Sequence, residues 1–77
     1  MRTSKGIDVP ADLAAAFNDN PEAWAGFEAM RIGSQKDFVL AIEGAQGPVT
    51  RAQRVEKTIR EAERHQDLRP TMGVRLA

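Results

Sequence analysis

The sequence predicts an all-α fold, with four short helices in a compact single-domain bundle followed by an irregular C-terminal tail. Three observations favour this fold class. Apolar residues recur at spacings of three and four, helix-start patterns occur at four places, and no segment alternates like a strand. The 77 residues leave room for one domain, with a flexible N-terminus at 1–6, a helical domain at 7–65 and the tail at 66–77.

The first predicted helix runs from about Pro10 to Asn18. Proline suits the first helical position, where its missing N–H costs nothing. Asp12 places negative charge in the first turn, as the helix dipole favours. Leu13 and Phe17 are four residues apart, which predicts that they share the buried face of this helix.

The second predicted helix begins at Asn20-Pro21, a capping residue followed by proline. Its apolar residues are Ala23, Trp24, Phe27 and Met30, and it ends between Arg31 and Gly33. Ser34 with Asp37 then predicts the cap of a third helix, which continues to about Ala45.

Thr50 with Gln53 is a capping-box pattern and predicts a fourth helix from Thr50 to about His65. The lost cap predicts that Thr50→Ala costs about 1 kcal/mol of stability. Charged residues fill most positions between the apolar residues of this helix, which indicates an amphipathic surface helix. We expect the core to contain Leu13, Phe17, Trp24, Phe27, Phe38, Ile42, Val55 and Ile59.

Composition narrows the function classes. The 11 basic and 11 acidic residues cancel, so no overall field favours nucleic acid or an anionic membrane. Cysteine is absent and His65 is the single histidine, which argues against disulfides, thiolate nucleophiles and Cys- or His-rich metal sites. No nucleophile–base pair is apparent, so we expect neither an enzyme nor a cofactor. The sequence shows no signal peptide and no membrane-spanning run, and we expect a cytoplasmic protein.

The start of the fourth helix carries the opposite charge from the others. Arg51 and Arg54 lie where the helix dipole favours acidic residues. One interpretation is an ion pair with a carboxylate on another helix, with Asp12 and Glu43 as the candidates.

The other interpretation is an anion or partner site at the same place. It would consist of Thr50, Arg51, Arg54 and Lys57. The same residues would suit nucleic-acid phosphates, with the third and fourth helices as a helix-turn-helix. The zero net charge argues against nucleic acid.

From Val9 to about Arg64, the order of motifs resembles the YdeI/OmpD-associated family, also called bacteriocin-protection proteins. The matching segments are Val9-Pro10-Ala11-Asp12-Leu13-Ala14-Ala15-Ala16-Phe17, Asn20-Pro21-Glu22-Ala23 with Phe27, Ile42-Glu43-Gly44-Ala45, and Thr50-Arg51-Ala52-Gln53-Arg54-Val55. Two departures stand out. This chain has Ala45-Gln46 where the family usually has Ala-Lys, and it lacks the aromatic Tyr or Trp often seen in the third helix.

The resemblance implies a small bacterial helical domain with a loose association with envelope stress and tolerance of antimicrobial peptides. It implies no established reaction, cofactor or catalytic residue. We therefore expect a non-enzymatic interaction domain with a protein partner. The alternative is a weak nucleic-acid or anion-binding domain that uses Arg51, Arg54 and Lys57. The sequence does not specify an oligomeric state.

Overall fold

The four predicted helices are present, and the all-α fold class is confirmed. The computed structural model describes the backbone of residues 1–76 and the side chains of residues 1–65. The helices are α1 (Ala11–Asp19), α2 (Pro21–Ala29), α3 (Ile32–Glu43) and α4 (Pro48–Leu76). Within the described part of the chain, no helix is both long enough and apolar enough to cross a membrane.

The helices begin and end at slightly different residues from those predicted. Pro10 is the residue before α1 rather than its first helical residue. Asn20 precedes α2, but its side chain does not cap that helix. The Asn20 amide Nδ2 instead donates to the Ala16 carbonyl at 2.8 Å, so this side chain ends α1 rather than starting α2.

The predicted cap of α3 at Ser34 and Asp37 is wrong, because α3 already begins at Ile32 and places both residues inside the helix. Arg31 occupies the position before the helix, and its carbonyl accepts the Gln35 N–H at 3.0 Å. No side chain caps this end. A capping motif in the sequence is therefore insufficient to locate the start of this helix.

The fourth helix is longer than predicted. It begins at Pro48, and its backbone continues to Leu76, past the expected end near His65. Pro70 and Gly73 suggested the earlier end, because proline lacks an N–H and glycine is a poor helix former. The side chains of the predicted tail, 66–77, lie outside the described residues, as does the whole of Ala77.

The core lies where α4 packs across the other helices, most extensively against α2. Its centre is an aromatic cluster in which the Phe17 ring lies 5.0 Å from Phe27 and 5.2 Å from Trp24, all tilted pairs. Phe38 extends the cluster, 6.4 Å from Phe27. The buried apolar residues are Val9, Leu13, Phe17, Ala23, Phe27, Met30, Val39, Ile42, Ile59 and Ala62.

Five of the eight expected core residues are buried, and the other three lie at the edge of the core. Trp24, Phe38 and Val55 are half-buried and pack against the buried set. Small residues such as Ala23 and Ala62 take the central positions, because they let α2 and α4 approach closely.

The residues before α1 make defined contacts in the structure, and the flexibility expected of 1–6 stays a prediction. An isolated antiparallel bridge joins Arg2 to Asp8, and Thr3 is buried. Ser4 donates its N–H to a Glu28 carboxylate oxygen at 2.8 Å, and Lys5 donates to the Glu28 carbonyl at 2.7 Å. This N-terminal turn is therefore attached to the end of α2.

Candidate functional site

The turn before α4 fixes where the basic helix start lies. Gly47 has a φ of +89°, a conformation that favours glycine. Its carbonyl accepts the Arg51 N–H at 3.2 Å, which is the first helical hydrogen bond of α4. Pro48 follows as the first helical residue, a position that suits proline.

This start places Thr50 as the third residue of the helix, so the predicted Thr50–Gln53 capping box is wrong. Gly47 holds the position before the helix that the sequence analysis gave to Thr50. The arginines therefore lie three positions further into the helix than predicted. Arg51 now lies at the end of the first turn and Arg54 in the second, where the dipole's effect is weaker.

Arg51 forms a two-bonded pair with Asp12 of α1. Its Nε lies 2.5 Å from Asp12 Oδ2, and its Nη2 lies 3.3 Å from Oδ1. The Arg51 side chain is 35% exposed and the Asp12 side chain 39%, so water still reaches the pair. The hydrogen bond from Arg51 lowers the pKa of the Asp12 carboxyl, and the same bond raises the pKa of Arg51.

Both arginines also donate to the carboxyl end of α3. Arg54 Nη1 lies 2.6 Å from the Ala41 carbonyl, and Arg51 Nη1 lies 3.3 Å from the Ile42 carbonyl. These carbonyls belong to the last turn of α3, where the dipole is negative, and the Ile42 carbonyl also accepts the Ala45 N–H at 3.1 Å. The charge that is out of place at the start of α4 is thus well placed at the end of α3.

The other three predicted members of this region, Glu43, Lys57 and Thr50, form no ion pair or side-chain hydrogen bond within residues 1–65. Glu43 contributes to the raised pKa of Arg51 by its charge, but it forms no ion pair within 4.0 Å among residues 1–65. Lys57 forms no ion pair there either. Thr50 is half-buried, and its hydroxyl makes no hydrogen bond in the same part of the chain. Contacts between helices therefore engage Arg51, Arg54 and Asp12. Lys57 forms no such ion pair among residues 1–65.

A cleft between α3 and α4 begins beside Arg54. It has two neighbouring halves of about 360 and 380 Å³, both lined by Ser34 and Phe38. We call the two together the α3–α4 cleft. One half is also lined by Met30, Arg31, Glu61, Arg64 and His65. The other is also lined by Asp37, Ala41, Arg54, Lys57 and Thr58.

Two buried polar residues shape this region and were missed in the sequence. Gln35 is fully buried, and its Nε2 donates to the carbonyls of Phe27 at 2.7 Å and Met30 at 3.3 Å. Thr58 is 1% exposed, and its hydroxyl donates to the Arg54 carbonyl at 2.8 Å. Gln35 thus holds the end of α2 against α3, while Thr58 satisfies its own hydroxyl within α4.

Their spacing contained the signal that would have revealed them. Gln35 lies four residues before Val39 and seven before Ile42, on the same buried face of α3. Thr58 lies four residues before Ala62, which is also buried. A pattern of apolar residues alone does not indicate either of them, because both side chains are polar.

No group of three or more residues able to hold a metal ion occurs among the described residues. The family comparison does give a match. The family model described as "Bacteriocin-protection, YdeI or OmpD-Associated" matches residues 7–65. The chain belongs to this family.

The family match covers the first three helices and the part of α4 up to residue 65. Residues 7–65 contain α1, α2, α3, the Arg51–Asp12 pair and every residue that lines the α3–α4 cleft. The resemblance seen in the sequence is thereby confirmed as family membership. Neither the curated proteins nor the solved structures contain a match to this chain.

Proposed function

We propose that this YdeI/OmpD-associated domain is a non-enzymatic interaction domain that binds a protein partner through the α3–α4 cleft. The observation that carries the proposal is the half-buried Phe38 at the junction of the two halves of the cleft, with Lys57 beside it. An accessible aromatic ring next to charged groups is typical of a protein-binding surface. The fold does not use Lys57 for an ion pair within residues 1–65.

The family description supports a biological setting for this binding. It links the domain to bacteriocin protection. We propose that the domain acts in the bacterial cytoplasm, where binding of its partner contributes to envelope-stress response and to tolerance of antimicrobial peptides. The balance of 11 basic and 11 acidic residues fits a protein partner better than a polyanion.

Nucleic-acid or free-anion binding at the start of α4 is the less favoured function. The groups that it needs are already engaged, because Arg51 holds Asp12 and the Ile42 carbonyl. Arg54 Nη1 holds the Ala41 carbonyl. A phosphate at the helix start would therefore have to compete with Asp12 and the Ile42 carbonyl for Arg51.

A survival assay tests the proposal. Bacterial cells that express the full chain are exposed to an antimicrobial peptide beside cells that carry an empty vector, and cell fractionation locates the chain. We expect greater survival with the chain present. We also expect a partner, recovered at moderate salt and then purified, to bind the chain directly. Equal survival of the two cultures, together with no direct partner, would contradict the proposed function.

A further inference from the structure

We propose that the α3–α4 cleft binds an acidic peptide segment in which carboxylates flank an apolar side chain. This inference rests on the proposed function, since it names the chemistry of the partner that the cleft accepts. The apolar side chain rests on Phe38 at the junction of the two halves. The carboxylates lie against the cationic side chains on either side.

The described lining of the α3–α4 cleft is more basic than acidic. Among the side chains of residues 1–65, four cationic ones and two acidic ones line the cleft, although the whole chain is neutral. The cations are Arg31, Arg54, Lys57 and Arg64, and the acids are Asp37 and Glu61. Charge complementarity of this kind sets which partner binds and how fast it associates.

These cationic side chains keep hydrogen-bond donors that can bind a carboxylate. Arg64 and Glu61 are 3.9 Å apart with exposed side chains, a weak pairing. Arg54 uses Nη1 for the Ala41 carbonyl, and its other guanidinium nitrogens make no hydrogen bond within the described side chains. Lys57 is exposed. A carboxylate can therefore approach Arg54 and Lys57 without breaking a contact that the fold needs.

The floor of the cleft is apolar, because Phe38 and Met30 lie there. Phe38 is half-buried and packs against the core on one side, so its ring is held in place. Met30, 6% exposed, lies in the floor of one half. A fixed aromatic surface binds an apolar side chain at little entropic cost. The combination of a fixed ring and flanking cations favours a mixed acidic and apolar segment over a simple anion.

Nucleic acid fits this cleft less well. Asp37 and Glu61 line its walls and would lie against phosphates. Binding of single strands uses several aromatic side chains on which successive bases stack, whereas the described lining of the cleft offers one phenylalanine ring, Phe38, and the His65 imidazole. An acidic peptide can place its apolar residue at Phe38 and a carboxylate near Arg54 and Lys57.

The binding test uses the full chain labelled with ¹⁵N and three acetylated synthetic peptides. The first has two glutamates on each side of a phenylalanine, the second has glutamines and the third lysines in those places. We expect the acidic peptide to shift the amides of residues 34–41 and 54–58, with weaker binding as salt is added. Equal shifts from the lysine peptide, or larger shifts from an oligothymidine strand, overturn the inference.

Two variants with a matched control locate the binding. Lys57→Glu reverses a charge in the cleft, and Lys36→Glu makes the same change at an exposed residue of α3 that lines neither half. We expect Lys57→Glu to weaken binding of the acidic peptide by about fivefold to tenfold and Lys36→Glu to change it by less than about twofold. Phe38→Leu, which keeps an apolar side chain, should weaken binding by a similar factor. Equal effects of the two lysine variants would overturn the inference.

The survival assay separates this inference from the proposed function. If the wild-type chain protects cells and Lys57→Glu protects them equally, the domain functions but the acidic-peptide site is wrong. If the wild-type chain neither protects cells nor binds a purified partner, the proposed function fails, and this inference fails with it. Loss of protection in Lys57→Glu but not in Lys36→Glu supports both.

Discussion

At the scale of single residues, the most informative side chain is Gln35, which the apolar pattern did not reveal. It is fully buried between α2 and α3, and its Nε2 donates to carbonyls at the end of α2. Its Oε1 is buried without a hydrogen-bond partner in the described structure. A buried amide that is half satisfied fixes the position of its neighbours but loses part of the stability that a fully bonded group would give.

Two substitutions at Gln35 separate packing from hydrogen bonding. Gln35→Met keeps the length of the side chain and removes both the donor and the unpaired Oε1, so we expect a cost of about 1 kcal/mol. Gln35→Ala also leaves a cavity, and we expect a cost of about 2–3 kcal/mol. Urea unfolding of the purified chain measures both. Equal losses would show that the hydrogen bonds, and not the packing, determine the effect.

At the scale of elements, the end of α3 and the start of α4 form one electrostatic unit. The arginines that violate the dipole rule in α4 donate to the Ala41 and Ile42 carbonyls, where the dipole of α3 favours cations. The dipole preference of α4 alone makes these arginines anomalous, whereas their contacts with the end of α3 explain them. The turn that brings them together depends on Gly47 rather than on a capping side chain.

Substitutions at this turn test the corrected start of α4. Because Thr50 lies inside the helix, we expect Thr50→Ala to change stability by less than about 0.5 kcal/mol, not by the 1 kcal/mol expected of a cap. Gly47→Ala should cost about 1 kcal/mol or more, because its φ of +89° strains any side chain. Thermal and urea unfolding compare the two variants. A larger loss from Thr50→Ala than from Gly47→Ala would restore the capping box.

The elements show how far sequence reasoning reaches in this chain. Four helices and most of the core followed from apolar spacing, because burial of one face dominates the energy of a short amphipathic helix. The predicted starts at Ser34 and Thr50 failed, since hydroxyl residues are common inside helices as well as at caps. Asp12 was named as a partner for the arginines from charge alone. The α3–α4 cleft was not foreseen, because it depends on how two helices pack.

At the scale of the whole molecule, the Arg51–Asp12 pair joins two elements that are distant in the sequence. Asp12 precedes the core residue Leu13, and Arg51 lies in the first turn of α4, so the pair connects the first helix to the last. Arg51 also reaches the end of α3 through the Ile42 carbonyl. The Arg51 guanidinium thus connects α1, α3 and α4 through hydrogen bonds. Its value lies in orientation as much as in stability, since exposed ion pairs contribute little energy.

This arrangement makes stability depend on pH through Asp12. The Arg51 hydrogen bond lowers the pKa of Asp12 in the folded chain. In the unfolded chain, the pKa of this carboxyl is about 3.9. The stabilising contribution is therefore fully present above about pH 4 and is lost as the pH falls through the folded pKa.

Because the Asp12 side chain is 39% exposed, solvent weakens the contribution, and we expect less than about 1 kcal/mol. Asp12→Asn cannot titrate, so its stability should be below that of the wild-type chain at pH 6 and equal to it or higher near pH 2. Urea unfolding of both proteins across this range measures the difference, and added salt should reduce it. A gap of constant size at every pH would show that Asp12 acts through packing and not through its charge. In that case, Arg51 would owe its position to the carbonyls of α3 alone.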